Sequence, residues 1–148
     1  MKLQQYLRFP SALARARSNA RLSQKAMAIS AGVDQSYLSG VETGRRPVPQ
    51  AEAVERFIAA LRSARASLVQ DELIWAAAHD RVLRCLSLND LTMAAPIVSS
   101  AMSAARRLNA VQLAGLVVYM DQLVESSSRL EDVAALAATE VADKEIAM

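Results

Sequence analysis

The sequence predicts an all-α protein. Only four Gly and four Pro occur in 148 residues, which leaves little material for tight turns. The residue types that enter a helix at the lowest cost, such as Ala, Leu, Arg, Gln and Glu, are plentiful instead. Hydrophobic residues make up 53% of the chain and charged residues 22%. That composition can build an apolar core and excludes a disordered chain.

The first third of the chain contains clear start and stop signals for helices. Pro10 favours the first turn of a helix, and Ser23 and Asp34 are residue types that cap the N-terminus of one. Gly32 and Gly44 are suited to ending helices, because many helices close on a residue with a positive φ. These signals, with apolar residues at helical spacing, predict helices over residues 12–18, 24–31, 35–43 and 50–64.

The rest of the chain is predicted to be helical as well. Asn109 and Gln112 have the spacing of a capping box at the start of a helix. That helix is apolar almost all round, so we expect it to be buried inside a bundle or between subunits. Ser126, Ser127 and Ser128 indicate a polar hinge. The expected helices cover residues 67 or 70 to 86, 96–107, 109–125 and 130–141.

Charge divides the chain into a basic and an acidic part. Residues 1–65 contain eleven Lys and Arg against four Asp and Glu, whereas residues 66–148 contain six against eleven. This asymmetry indicates that only the first part faces a polyanion. We therefore expect a domain over residues 1–65 that folds alone and a helical dimerisation or partner region over residues 66–148.

Several functional classes have no support in the residues. Cys85 is the only cysteine, and no Cys/His cluster has metal-ligand spacing, so we expect no disulfide, metal or cofactor. We expect Cys85 to be buried. His79 lies beside Asp80 and away from any Ser or Cys placed for nucleophilic chemistry, so we expect a structural histidine and no enzyme. No signal peptide and no membrane span of about 20 residues is predicted, which favours the cytoplasm.

Two short helices joined by a glycine turn form the most informative motif. Ala28 and Ala31 are small enough for the next helix to pack closely, and Val33 can enter the core after Gly32. This is the arrangement of a helix-turn-helix, whose second helix enters the major groove of DNA. The motif runs without a gap as Leu22-Ser23-Gln24, Met27-Ala28, Ala31-Gly32-Val33, Ser36-Tyr37-Leu38-Ser39 and Glu42-Thr43-Gly44-Arg45-Arg46-Pro47.

In order and spacing these residues resemble the phage-repressor/Cro (XRE) family over residues 11–64. The resemblance implies a five-helix-type repressor domain that binds double-stranded DNA, here followed by an α-helical oligomerisation region. Eight positions match family residues that contact DNA: Gln24, Gln35, Ser36, Ser39, Gly40, Thr43, Arg45 and Arg46.

The resemblance also implies a role for each group of these residues. Gln35 and Ser36 start the recognition helix and match residues that touch base edges, where a Gln can pair bidentately with adenine. Gln24 matches a residue that holds a phosphate and braces that helix. Thr43, Arg45 and Arg46 match positions near the phosphate backbone.

Two further features of the resemblance affect the expected site. Arg17 and Glu42 match a pair that ties the third helix to the first through a buried salt bridge. Gly40 departs from the family, whose members often have a long base-reading side chain there. A Gly also weakens a helix by about 1 kcal/mol relative to Ala. Base reading is then concentrated at Gln35 and Ser36, or the shape of the DNA contributes more than usual.

Three functions remain open on the sequence. The first is a homodimeric transcriptional regulator, specifically a repressor. The second is an antitoxin or autoregulator whose acidic C-terminal half binds a partner protein. The third is an adaptor in which the helix-turn-helix makes protein contacts only. Binding to random DNA at low salt separates the first two from the third, and co-purification with a small basic protein separates the second from the first.

Overall fold

The computed structural model describes residues 3–63 and 70–146. Every regular element in these ranges is helical, which confirms the all-α prediction. The α-helices of this part are α1 (Phe9–Asn19), α2 (Gln24–Ala31), α3 (Gln35–Glu42), α4 (Ala51–Ser63), α5 (Gln70–Leu88), α6 (Ala95–Ala105) and α7 (Ala110–Ile146). Short 3-10 helices, Leu3–Tyr6 and Thr92–Ala94, lie before α1 and α6.

The chain forms two compact units, Met1–Ser103 and Ala104–Met148. The first unit includes α5 in addition to the four helices predicted for residues 1–65. In it, α1 packs against α3 and α5, α2 packs against α3 and α4, and α4 packs against α5. The expected domain boundary between residues 65 and 66 lies outside the described residues. The largest fully buried apolar side chains of this unit are Phe9, Leu13, Met27, Leu38, Val41, Phe57, Leu61, Leu73 and Leu83.

Local chemistry accounts for the turn between α2 and α3. The hydroxyl of Ser23 accepts a hydrogen bond from the N–H of Ala26 at 3.0 Å, which confirms the predicted N-cap of α2. Gly32 has a φ of +63°, a conformation that L side chains rarely adopt, and so ends α2 as predicted. Asp34 occupies the N-cap position of α3 with an extended backbone, but its side chain makes no capping bond. Two helices are thereby joined by a tight turn.

The start of α1 depends on a residue far away in the sequence. The helix begins at Phe9 rather than at residue 12, and its N-cap residue Arg8 provides no side-chain cap. Instead, the N–H groups of Arg8 and Phe9 donate to the two carboxylate oxygens of Asp80 at 2.8 and 2.9 Å. A negative charge is favourable at a helix N-terminus, because it accepts from unpaired N–H groups at the positive end of the helix dipole. A side chain of α5 therefore caps α1.

The second unit contains one long helix where the sequence analysis expected two. Residues 126–128 lie inside α7, so the predicted serine hinge is wrong. The hydroxyl of Ser126 donates to the carbonyl oxygen of Gln122 at 2.8 Å, which gives the hydroxyl a partner inside the helix. The capping box is confirmed at the start of α7, where Asn109 and Gln112 each accept from the backbone N–H of the other at 3.0 Å.

Apolar side chains on α7 are exposed in the single chain. The most exposed, Val111, is 82% accessible. The expectation that this helix is buried within the chain is therefore wrong for its described side chains, and burial between subunits stays a prediction. The exposed large apolar residues of α7 are Val111, Val117, Val118, Tyr119, Met120, Leu123 and Val124.

Candidate nucleic-acid interface

Helix α3 has one face in the core and one face open to solvent. Leu38 and Val41 are fully buried and fix the orientation of the helix. Polar side chains predicted to contact DNA lie elsewhere on its surface, where they are exposed or half-buried: Gln35, Ser36, Ser39 and Thr43. Side chains three and four positions apart share a helix face. Ser36, Ser39 and Thr43 have these spacings and therefore form one polar row along α3.

The turn after α3 holds two exposed arginines, Arg45 and Arg46. The hydroxyl of Thr43 donates to the carbonyl oxygen of Ser39 at 2.8 Å, and Nε of Arg45 donates to that hydroxyl at 3.0 Å. Positive side chains interact favourably with the C-terminal end of a helix. The geometry therefore holds Arg45 close to the last turn of α3 while leaving it exposed.

A buried ion pair joins α3 to α1. Nε and Nη2 of Arg17 donate to the two carboxylate oxygens of Glu42 at 2.6 and 3.0 Å, and the Glu42 side chain is only 4% exposed. Nη1 of Arg17 donates to the carbonyl oxygen of Leu22 at 2.8 Å. Hydrogen bonding to Glu42 raises the pKa of Arg17 above its ordinary value; burial opposes this shift, and the attraction of the charges adds to it. The charged pair thus fixes α3 at its C-terminal end.

Gln24 belongs to the same network. Its Nε2 atom donates to Glu42 at 2.7 Å, so the side chain joins the start of α2 to the end of α3. The hydrogen bond connects the two helices of the motif, as a residue that braces the recognition helix would do. Its contact with a phosphate stays a prediction.

The side chain of Arg46 lies across Gly40. A Cβ atom placed on Gly40 would lie 3.0 Å from Cγ of Arg46. The backbone N–H of Arg46 donates to the carbonyl oxygen of Gly40 at 2.9 Å, and its guanidinium carbon lies 5.3 Å from the centre of the Tyr37 ring. Gly40 is consequently buried beneath Arg46. Sequence reasoning missed this contact, although a glycine on the exposed side of a helix was a signal for a close approach.

A second polar cluster lies inside the first unit, around His79. Nδ1 of His79 lies 2.8 Å from Asp80, and Nε2 lies 3.0 Å from the hydroxyl of Ser99 in α6. Sequence reasoning missed the contact between His79 and Ser99, which lie twenty positions apart. Ser, His and Asp in this order resemble a catalytic triad. Ser99 is only 4% exposed, however, and Asp80 caps α1, so we interpret the cluster as a connection between helices.

Cys85 also differs from the sequence prediction, because it is exposed rather than buried. Its backbone carbonyl oxygen accepts from Nδ2 of Asn89 at 2.8 Å near the end of α5. The thiol faces solvent on a helix that has its apolar residues Leu73 and Leu83 on the buried side.

Comparison with known proteins agrees with the geometry of α2 and α3. Residues 11–68 match the model of a family described as a helix-turn-helix domain. This match agrees with the helix-turn-helix predicted from the sequence over residues 11–64. In helix-turn-helix domains that bind DNA, the second helix of the motif enters the major groove, and α3 is the corresponding helix of this chain. The match does not extend to residues 69–148, and no curated protein and no solved structure matches the chain.

None of the helices in the described ranges combines the length and apolar character needed to cross a membrane.

Proposed function

We propose that the protein is a homodimeric transcriptional repressor that recognises double-stranded DNA by placing α3 in the major groove. The observation that supports DNA reading is the presentation of α3. Its polar row is open to solvent, while Leu38, Val41 and the Arg17–Glu42 pair hold the helix in place. Rigid placement of short polar side chains is what recognition of base edges requires.

The charge distribution supports the same proposal. The basic residues are concentrated in residues 1–65, and the matched helix-turn-helix lies almost wholly within them. DNA binding draws much of its affinity from neutralised phosphates, which a basic domain supplies. The acidic remainder, residues 66–148, would be repelled by DNA and is better suited to protein contacts.

A homodimer is proposed because one helix-turn-helix contacts one half-site only. Two linked copies gain affinity from the second contact, since it takes place at high effective concentration. The exposed apolar residues of α7 offer a surface for pairing, and contiguous exposed apolar patches mark interaction sites. Repressors of this geometry bind half-sites one helical turn apart, roughly 34–36 Å, or a multiple of that.

The same α7 surface supports a second candidate function. An antitoxin or autoregulator would use the acidic region 66–148 to bind a basic partner protein instead of a second copy. Purification of the full chain from its own cells distinguishes the two. A stoichiometric small basic protein would favour the antitoxin, and a homodimer without one would favour the repressor.

Selection of bound duplexes from a random pool tests the proposal directly. We expect the full chain to enrich an inverted repeat whose half-sites lie on one side of the duplex. Enrichment of a single unrepeated site would contradict the homodimer, and absence of any enrichment at low salt would contradict DNA recognition. Placing the selected site over a promoter in a reporter assay then tests repression, because a repressor lowers transcription and an activator raises it.

Replacement of Gln35 or Ser36 by Ala should weaken binding to the selected site by about 1–3 kcal/mol each. Both side chains are exposed at the start of α3, where a recognition helix meets base edges. Preference at one or two base positions should relax in each variant. Titrations on the selected site, on single-base variants of it and on random DNA give these quantities. Equal losses on all of these duplexes would show phosphate contacts instead.

Replacement of Arg45 by Ala should weaken binding to every duplex alike. Its guanidinium is exposed at the C-terminal end of α3 and is held there by Thr43, a position suited to a phosphate. Loss of one phosphate contact lowers the slope of log affinity against log salt by about one. Titrations at four or five salt concentrations measure that slope, and an unchanged slope would place Arg45 away from the backbone.

A further inference from the structure

Beyond Gln35 at its start, the open face of α3 has no long side chain of its own. Ser36, Gly40 and Thr43 follow one another at spacings of four and three, so they lie along the same face of the helix. Ser and Thr are short, and Gly has no side chain. This row alone reaches less far into a groove than a helix with an Arg, Lys or Gln at its centre.

Arg46 fills the gap at the centre of that row. Its backbone N–H is hydrogen-bonded to the carbonyl oxygen of Gly40, and its Cγ and Cδ atoms lie 3.0 and 3.1 Å from the place that a Gly40 Cβ would occupy. A Cβ at position 40 would make a tight contact with the Arg46 side chain, which would have to shift slightly. The absence of a Cβ therefore lets Arg46 lie close against α3 without such a shift.

Tyr37 restricts the other end of the same side chain. The guanidinium carbon of Arg46 lies 5.3 Å from the centre of the Tyr37 ring, within the range of a cation–π contact. Tyr37 is itself half-buried and packs against the core. An arginine held in this way loses less rotamer freedom when it binds a planar partner. Arg45 differs, because its Nε is bonded to Thr43 beyond the end of the helix.

We propose that Arg46 contacts a guanine in the major groove and that Gly40 and Tyr37 position it there. Arg46 then supplies, from the turn after α3, the long base-reading side chain that the middle of α3 lacks. The chemistry fits, because a guanidinium can donate two parallel hydrogen bonds to O6 and N7 of guanine. This inference rests on the proposed function and assigns Arg46 to a base where the family resemblance implies the phosphate backbone.

The test compares Arg46→Ala with its neighbour Arg45→Ala on the selected site, on single-base variants of that site and on random duplex. Both substitutions remove one exposed positive charge, so they form a matched pair. Arg46→Ala should lower the affinity for the selected site roughly 5- to 150-fold and the affinity for random DNA much less. The variant should also lose the preference for guanine at one position. Arg46→Lys should not restore that preference, because an ammonium lacks the bidentate geometry. Arg45→Ala should lower the affinity for every duplex by a similar factor.

Gly40→Ala tests the positioning part without removing a charge. The three atoms nearest to the added Cβ all belong to the flexible side chain of Arg46, and Ala favours a helix, so the melting temperature should not fall. Guanine preference should fall nonetheless. In an Arg46→Ala background the same substitution should have little further effect on DNA binding, as expected for residues that act through one contact.

Distinct results overturn distinct parts of the proposal. If Arg46→Ala and Arg45→Ala lose the same factor on all duplexes, Arg46 is a phosphate contact and the inference is wrong. If Gly40→Ala keeps the full guanine preference, or has the same effect with and without Arg46, the positioning role is wrong. A parent protein that binds no duplex DNA overturns the proposed function and the inference together. If the parent binds a selected site and only the Arg46 or Gly40 result fails, the proposed function stands and the inference alone is wrong.

Discussion

Replacing Arg17 by Ala is expected to lower the free energy of unfolding of the helix-turn-helix by about 3–5 kcal/mol. The substitution leaves the carboxylate of Glu42, which is 4% exposed, without its opposite charge. Gln24 would remain as a neutral donor, and the carbonyl oxygen of Leu22 would lose its bond from Arg17. Denaturant titration followed by circular dichroism measures the change, and DNA affinity should fall with it because α3 loses its brace.

The neighbouring Arg15 provides a matched control. Arg15 also forms an ion pair, with Glu72 of α5, but its side chain is 63% exposed. Exposed pairs contribute about 0–1 kcal/mol, so Arg15→Ala should leave stability nearly unchanged. Replacing both members of the buried pair, as in Arg17→Met with Glu42→Met, should recover much of the loss if the stranded charge causes it. Similar stabilities for Arg17→Ala and Arg15→Ala would contradict the proposed role of the pair.

Removing residues 104–148 is expected to leave a folded, monomeric protein with the same base preference. The first compact unit ends at Ser103, so the cut leaves its core complete. Without the apolar surface of α7 the two copies separate, and affinity for the selected inverted repeat should fall by a factor of about 10² or more. Sedimentation, thermal melting and a titration on the same duplex measure these three properties. A fragment that stays dimeric and binds with full affinity would show that α7 serves another purpose.

A shorter fragment, residues 1–65, should fold poorly, which differs from the expectation drawn from the sequence. It lacks Leu73, which is fully buried in the common core, and Asp80, whose carboxylate holds the first N–H groups of α1. Without α5, Phe9 would lose part of its cover, and the N–H groups of Arg8 and Phe9 would lose their acceptor. Each buried donor left unpaired costs about 1–3 kcal/mol of stability. The comparison of the two fragments decides where the independently folding domain ends. Equal melting temperatures would place that end at residue 65.

The sequence by itself determined the local features of the fold. Ser23 and Gly32 place the ends of α2, because a hydroxyl cap and a positive φ depend on the residue itself and its near neighbours. Asn109 and Gln112 cap α7 for the same reason. The same local signals located α3 and its exposed polar residues. They failed at residues 126–128, since the helix propensity of Ser is only slightly unfavourable and its hydroxyl bonds within the helix.

Only the tertiary structure decided which distant groups meet. Asp80 caps α1 from more than seventy positions away, and no local signal at Arg8 or Phe9 predicts it. Ser99 reaches His79 because α5 and α6 are brought together after the intervening turn. Arg46 covers Gly40 because the loop after α3 returns to the helix. A sequence pattern shows which face of an element is apolar, whereas the partners of buried polar groups depend on how the elements pack.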